Sequence, residues 1–309
     1  MDLGSISPAL LIASLMVAST PLLLAALGEL VVERAGVLNL GVEGMMIVGA
    51  ICGFATAVET GSPPLGFLAG AAGAALLSLV FAVLTQVFLA NQVATGLALT
   101  LFGLGLSSLI GQGYVGIKPP GTGRLDLGPL ADIPFLGRAV FSHDWMVYLS
   151  LALTVVIAWT LARTRAGLKL RAVGENHDAA HALGLHVVLT RFAAIAFGGA
   201  MAGLGGAYLS LVRVPQWTEG MTAGAGWIAL AIVVFASWRA GRVLLGAYLF
   251  GGVTVLQLNL QAVGVALPVE YLSMSPYVVT ILVLVIMSAR RARGTAAPAS
   301  LGKAFHATH

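Results

Sequence analysis

Long apolar runs alternate with short polar connectors along almost the whole chain. A helix needs about 20 mostly apolar residues, within a range of about 17–25, to cross a bilayer. In chain order, such runs cover Pro8–Gly28, Gly36–Val58, Leu65–Ala90, Val93–Gln112, Trp145–Ala162 and Arg191–Val212. A short seventh at Gly226–Trp238 is followed by Val243–Gln261 and Ser275–Ala289. The pattern predicts an all-α, polytopic transmembrane helix bundle of nine spans, give or take one. The second run carries Asn39, Glu43 and several glycines, and the seventh is short. Both are candidates for broken or re-entrant helices, which are tolerated where protein or a water cavity covers the freed backbone groups. The first run follows a start with Asp2 and no Lys or Arg, unlike a cleaved signal peptide, so it is expected to be a retained span.

Composition agrees with this pattern. Hydrophobic residues make up 59% of the chain, charged residues 9%, and the mean hydropathy is +0.97. A soluble domain carries about 25% charged residues, and a water-exposed fold could not hide this much apolar surface. The net charge of +4 fits an asymmetric placement of Lys and Arg rather than nucleic-acid binding, for which no basic solvent-exposed domain is long enough. With the tail taken as cytoplasmic, alternation puts Arg34, Arg163, Arg165, Lys169, Arg171, Arg191, Arg239, Arg242, Arg290, Arg291, Arg293 and Lys303 inside. Only Lys118, Arg124, Arg138 and Arg213 fall outside, together with Asp126, Asp132, Asp144, Glu219 and Glu270. Twelve basic residues against four orient the chain, with the N-terminus outside. The expected organisation is one transmembrane domain over 1–290 and a basic cytoplasmic tail over 291–309. Two loops exceed a turn: an external one over 113–144, rich in Gly and Pro, and a cytoplasmic one over 163–190. Cys52 is the lone cysteine, which excludes an intrachain disulfide and argues against a thiolate metal site.

Candidate chemistry is sparse. In the internal loop Asn176 is a plausible N-cap for a helix from His177 to Leu183. Asp178 lies in its favourable first turn, and Gly184 can close it in the left-handed conformation. Ala179, Ala180 and Ala182 leave a smooth surface that could enter a groove on another protein; otherwise this is a solvated connector. Of His177, His181 and His186 only the first two share a helical face, and no carboxylate or thiol completes a metal set. Glu43 lies in an apolar run with Asn39 four residues before it, so on a continuous helix the two share a face. An intramembrane carboxylate points inward, either lining a pathway or supporting a hinge, or else anchoring a buried cluster with Arg34 or backbone amides. Gln86, Asn91, Gln92, Thr95, Gln257, Asn259 and Gln261 also interrupt apolar runs. Such uncharged groups suit a neutral polar solute, or they glue helices together. Trp217, Trp227 and Trp238 read as interfacial anchors.

The stretch Arg171-Ala172-Val173-Gly174-Glu175-Asn176, with Asp178, Ala179-Ala180 and Gly184, resembles the coupling-helix region of ABC importer permeases for simple sugars, branched-chain amino acids and nucleosides. Gly28-Glu29 with Glu33-Arg34-Ala35-Gly36-Val37-Leu38-Asn39-Leu40-Gly41-Val42-Glu43-Gly44 is similar to the signature of the nucleoside and simple-sugar branch. Gly198-Gly199, Ala202-Gly203 and Gly205-Gly206 fit the helix that follows the coupling segment. The likeness covers residues 25–290; His181 departs from it, standing where Arg or a similar residue is expected. It implies a non-catalytic subunit of a bacterial cytoplasmic (inner) membrane importer that carries a nucleoside or related purine by alternating access. Its partners would be two ATPase subunits docked on the coupling helices, a second permease subunit, identical or not, and an extracytoplasmic solute-binding protein. No Gly-rich phosphate loop is present, so the chain is expected to bind no cofactor, ATP and Mg being used by the ATPase. A ribose-type sugar or a branched-chain amino acid is the alternative solute. An ion-coupled transporter would need more mid-span acids than Glu43, and a membrane enzyme a clustered His, Asp or Cys set that the sequence lacks.

Overall fold

The spanning helices are apolar on every side, so small residues rather than an amphipathic stripe select the faces that meet. The computed structural model describes residues 8–125, 128–131, 133–262 and 297–306, with isolated helical positions between 271 and 285. The expected span Ser275–Ala289 lies outside the described residues as a continuous element, as do Asp126, Asp132, Glu270, Arg290, Arg291 and Arg293. The helices are α1 (Pro8–Arg34), α2 (Val42–Thr60), α3 (Pro63–Ala82), α4 (Gln92–Gly111), α5 (Leu136–Val140) and α6 (Trp145–Arg163). They continue with α7 (Arg165–Glu175), α8 (His177–Ala182), α9 (Val187–Tyr208), α10 (Ala225–Phe235) and α11 (Ala240–Ala262). Wider π turns, Val83–Val87 and Leu209–Arg213, extend α3 and α9. Among the described residues seven helices are long and apolar enough to cross a membrane, and α10 is apolar but shorter. The all-α polytopic bundle expected from the sequence is what is found.

α9 is the central element, packed on α1, α2 and α3. The reason is local: Gly49 of α2, Gly70 of α3 and Gly203 of α9 meet backbone to backbone, and a Cβ at Gly70 would come 2.8 Å from the Gly49 carbonyl. Larger residues there would push three helices apart.

α1 runs past the expected end at Gly28 because its polar last turns find buried partners. Glu29 accepts from the Asn39 backbone N–H at 3.4 Å, and Glu33 accepts from the Trp238 indole N–H. Arg34 donates from Nε and Nη2 to the Trp238 carbonyl at 3.0 and 2.6 Å. The chain then turns at Gly36, where φ is +81°, and residues 37–41 run non-helically through the protein interior. Side chains satisfy that exposed backbone: the Leu38 N–H donates to Gln92 Oε1 at 2.8 Å, the Gly41 N–H to Asn39 Oδ1 at 2.9 Å, and the Leu40 carbonyl accepts from Thr100 at 3.2 Å. α2 therefore begins only at Val42, and Asn39 and Glu43 do not share a helical face. Asn39 closes the re-entrant turn, whereas Glu43 starts the helix.

At 11 residues, α10 rises only about 16 Å at about 1.5 Å per residue, roughly half the hydrocarbon thickness. Its C-terminal end turns through Ser237 and Trp238, both at positive φ (50° and 55°). Such backbone persists when its surroundings over-determine it, and here Glu33 and Arg34 hold both polar ends of Trp238. Trp238 is thus buried rather than interfacial, and so is Trp217, which packs against Gly111 of α4. Trp227 is 47% exposed.

Candidate functional site

One face of the bundle is built from the loop between α6 and α9. It holds two helices where the sequence suggested one. Thr164 caps α7 by accepting from the Gly167 N–H at 3.1 Å. Asn176 ends α7 and starts α8: its own N–H bonds the Ala172 carbonyl at 3.0 Å, and its Oδ1 accepts from the Ala179 N–H at 3.0 Å. Gly184, at φ +80°, closes α8, with its N–H on the His181 carbonyl at 2.8 Å. Asp178, Ala179, His181, Ala182 and Leu183 face outward, Leu183 being 81% exposed. Ala180 does not join that surface. It is 2% exposed and packs with Val173, Val187 and Phe305, because the chain's last described segment covers this side of α8. Arg171, Glu175 and Asn176 are exposed, whereas Gly174 is buried against the Arg34 carbonyl at the end of α1.

That last segment, residues 297–306, forms a strap under α8. The Ser300 N–H bonds the Gly174 carbonyl at 2.9 Å, and the Gly302 N–H bonds the Gly36 carbonyl at 3.2 Å. Ser300 Oγ accepts from the His177 N–H and donates to the Glu175 carbonyl, both at 3.3 Å. The Phe305 ring meets those of His177 and His181 edge-on, at centroid distances of 5.4 and 5.3 Å. Above the strap lies Arg191, fully buried on α9. It donates to Ala35 O at 3.2 Å, Gln86 Oε1 at 3.3 Å, Lys303 O at 3.1 Å and the His177 Nδ1 at 3.1 Å. Burial, reinforced by the Arg191 charge, holds the His177 imidazole below its ordinary pKa; Asp178 opposes this.

On the opposite side a cavity of about 1220 Å³ is lined by Ser14, Arg124, Arg138, Arg213, Thr222 and Gln257, among others. Asp144 shapes its wall: it caps α6 through the Met146 and Val147 N–H groups at 3.0 and 3.3 Å, and accepts from the Tyr208 hydroxyl at 2.8 Å. At its floor Thr222 donates to Glu43, which also accepts the Gly224 and Gly226 N–H groups at 2.9 and 2.7 Å. The carboxylate thus seals the N-terminus of α10, where the helix dipole favours negative charge. Two interrupted stretches of chain, at the starts of α2 and α10, meet on this one side chain.

The polar residues singled out in the sequence divide into separate groups. Gln257 lines the cavity, and Asn259 lies in a smaller groove of about 340 Å³ between α1 and α11, its amide on the Val255 carbonyl at 2.7 Å. Gln86 and Gln92 are buried on the side of α8, and Gln92 Nε2 has no hydrogen-bond partner among the described residues. Asn91 caps α4 through the Ala94 N–H at 3.0 Å, and Thr95 is half-buried beside it. Sequence reasoning passed over Arg191, Thr222 and Phe305 as site residues and read Trp238 as an interfacial anchor. A usable signal existed for Arg191 alone: a cation at the start of a span must find acceptors.

Comparison with known proteins adds an independent line. Residues 11–287 match the family described as branched-chain amino acid transport system / permease component. The chain is 45% identical over 254 residues to the putative glucose ABC transporter permease protein TsgC13 of Haloferax volcanii, covering 81% of this chain and 77% of that one. It is 33% identical to the nucleoside ABC transporter permease protein NupC of Lactococcus lactis subsp. cremoris, over 90% and 92% of the two chains. It is also 33% identical to the guanosine ABC transporter permease protein NupQ of Bacillus subtilis, over 89% and 91%.

Proposed function

Because the chain belongs to the branched-chain amino acid transport system / permease component family, we propose that it is the multi-pass permease subunit of an ATP-driven importer whose solute is a nucleoside. The carrying observation is the one-third identity to a nucleoside and a guanosine permease over about nine-tenths of each chain. The fold supplies matching surfaces. α8 presents Ala179, Ala182 and Leu183 outward, as a partner ATPase groove requires, and the cavity opposite offers hydroxyl and guanidinium groups to a polar solute. ATP and Mg belong to the ATPase in this scheme. A second permease subunit completes the pathway, and an extracytoplasmic binding protein delivers the solute to the cavity face. The setting is the cytoplasmic membrane of a bacterium.

A sugar is the second reading, favoured by the 45% identity to the putative glucose permease. Both solutes present ring hydroxyls; only the nucleoside adds a flat base with acceptor edges. The test is uptake by proteoliposomes holding the chain with its ATPase and binding protein. Guanosine should accumulate only with internal ATP and withstand excess glucose. Accumulation of glucose but not guanosine would transfer the assignment to a sugar, and uptake driven by a proton gradient without ATP would sink the importer reading.

A further inference from the structure

We propose that Arg191 is a positioning residue that transmits movement of the coupling helix α8 to the membrane helices, with the C-terminal strap 300–305 as part of its cage. The inference rests on the importer reading above and adds the path by which the ATPase stroke enters the bundle. Four segments converge on one guanidinium: α8 through His177 Nδ1, the α1–α2 turn through Ala35 O, the π turn after α3 through Gln86 Oε1, and the strap through Lys303 O. Its own backbone belongs to α9, the helix packed on α1, α2 and α3.

The physical case starts from the charge. A buried cation is stable only when fully hydrogen-bonded. Among the described residues no carboxylate hydrogen-bonds to Arg191, so neutral acceptors from four separate segments solvate it. The guanidinium is planar and rigid, so its bonds cannot lengthen one at a time without stranding a donor. α8 is tied on its other side by Ser300 and by Phe305. It is therefore clamped between the strap and Arg191. A shift of α8 either carries α9, the α1 turn and the π turn with it, or breaks the cage. His177 fits the role because its neutral ring offers the lone pair that Arg191 needs.

The experiment uses the complete complex of permease, ATPase and binding protein, carrying Arg191→Gln, Arg191→Lys, or a deletion of residues 300–309. Three quantities are read: ATPase retained on purification, hydrolysis without solute, and hydrolysis stimulated by guanosine-loaded binding protein. In Arg191→Gln the retained ATPase should stay within about twofold while stimulation falls by at least about tenfold, the range of a typical coupling energy. Arg191→Lys, which keeps the charge but not the fork, should restore part of the stimulation. Stimulation that survives Arg191→Gln, or falls only in proportion to lost complex, overturns the proposal. Should Arg191→Gln fail to accumulate, the deletion decides: it removes Lys303 and Phe305 and leaves every described helix in place, and unchanged stimulation there is equally fatal. A wild-type complex that no loaded binding protein stimulates would defeat the importer reading itself, whatever the variants do.

Discussion

At the α8 face Arg34, His177, Arg191 and Ser300 are each hydrogen-bonded across segments far apart in sequence. On the cavity side the side chains of Arg124, Arg138 and Arg213 border an open space, hydrogen-bonded to no described residue. The same residue type serves opposite ends. A surface that passes on movement must be stiff, so its polar groups are spent on one another. A surface that receives a solute or a partner leaves donors free, since a group already bonded inside the protein offers little to an arriving ligand. Glu43 marks the boundary: it lies at the floor of the cavity, yet its oxygens are fully engaged in holding α10 on α2.

The largest effect is expected at that boundary. Glu43→Leu strands three donors, two of them buried and one partly buried, each worth about 1–3 kcal/mol, for a total on the order of 5 kcal/mol. Heating in detergent followed by size-exclusion should show far less monodisperse protein than the parent gives. Glu43→Gln keeps one acceptor oxygen and should lie between. A heat-stable Glu43→Leu would mean that the meeting of α2 and α10 does not hold the cavity floor, and the division between the two ends would lose its hinge.

Next comes the exposed side of α8. Leu183→Arg should cut ATPase co-purification by about thirtyfold, the size of a binding hot spot, while thermal stability moves by no more than about 0.5 kcal/mol. Ala180→Arg is a poorer probe than the sequence suggested. Ala180 lies under Phe305, so a long cation there would pry off the strap before any partner could be tested. Retained ATPase in Leu183→Arg would move the docking surface elsewhere on the inner face.

A smaller, opposite pattern is expected at the cavity. Arg213 is half-buried on its wall. Arg213→Gln should change thermal stability by less than about 1 kcal/mol, as for a partly exposed side chain that hydrogen-bonds no described residue. It should weaken guanosine uptake several-fold through KM, because a guanidinium can bond a guanine edge with two parallel N–H groups. If the substitution destabilises the protein and leaves uptake untouched, the free-donor description of this end fails.

How much of this was legible in the sequence differs between the two ends for a physical reason. α8 was readable because helix capping is local: Asn176, Asp178 and Gly184 carry their instructions within one turn of themselves. Span positions were readable because a bilayer imposes length and apolarity. That the second run would be interrupted was readable from its Asn39, Glu43 and glycines, but not that the break falls at 37–41, since that backbone is satisfied by Glu29, Gln92 and Thr100, residues 10 to 60 positions away. Trp238 looked interfacial because hydropathy cannot see Glu33 and Arg34 waiting for it. The strap was hidden for the same reason: nothing near Phe305 in sequence announces that His177 and His181 will cover its ring.

The finest probe of the contrast is pH. Around His177 stand Arg191 from α9, Lys303 and His306 from the strap, and Asp178 and His181 from its own helix. Burial first and Arg191 second hold its pKa below the ordinary value of 6.5. The docked inner face therefore prefers the neutral ring, and a detached strap binds more protons in the interval between the two pKa values. Linkage then fixes the sign: the docking contribution is complete above about 6.5 and is lost as pH falls from there toward the depressed folded value. Hydrogen exchange of the amides of residues 300–305, corrected for the intrinsic pH dependence, should lose protection as pH falls below about 6.5. His177→Leu, which cannot titrate, should flatten that profile. The Met146 and Val147 amides on Asp144, at the cavity and beside His143 instead of the strap, should follow a profile that His177→Leu leaves unchanged. Equal loss at both ends would show global loosening instead of a strap released by one imidazole.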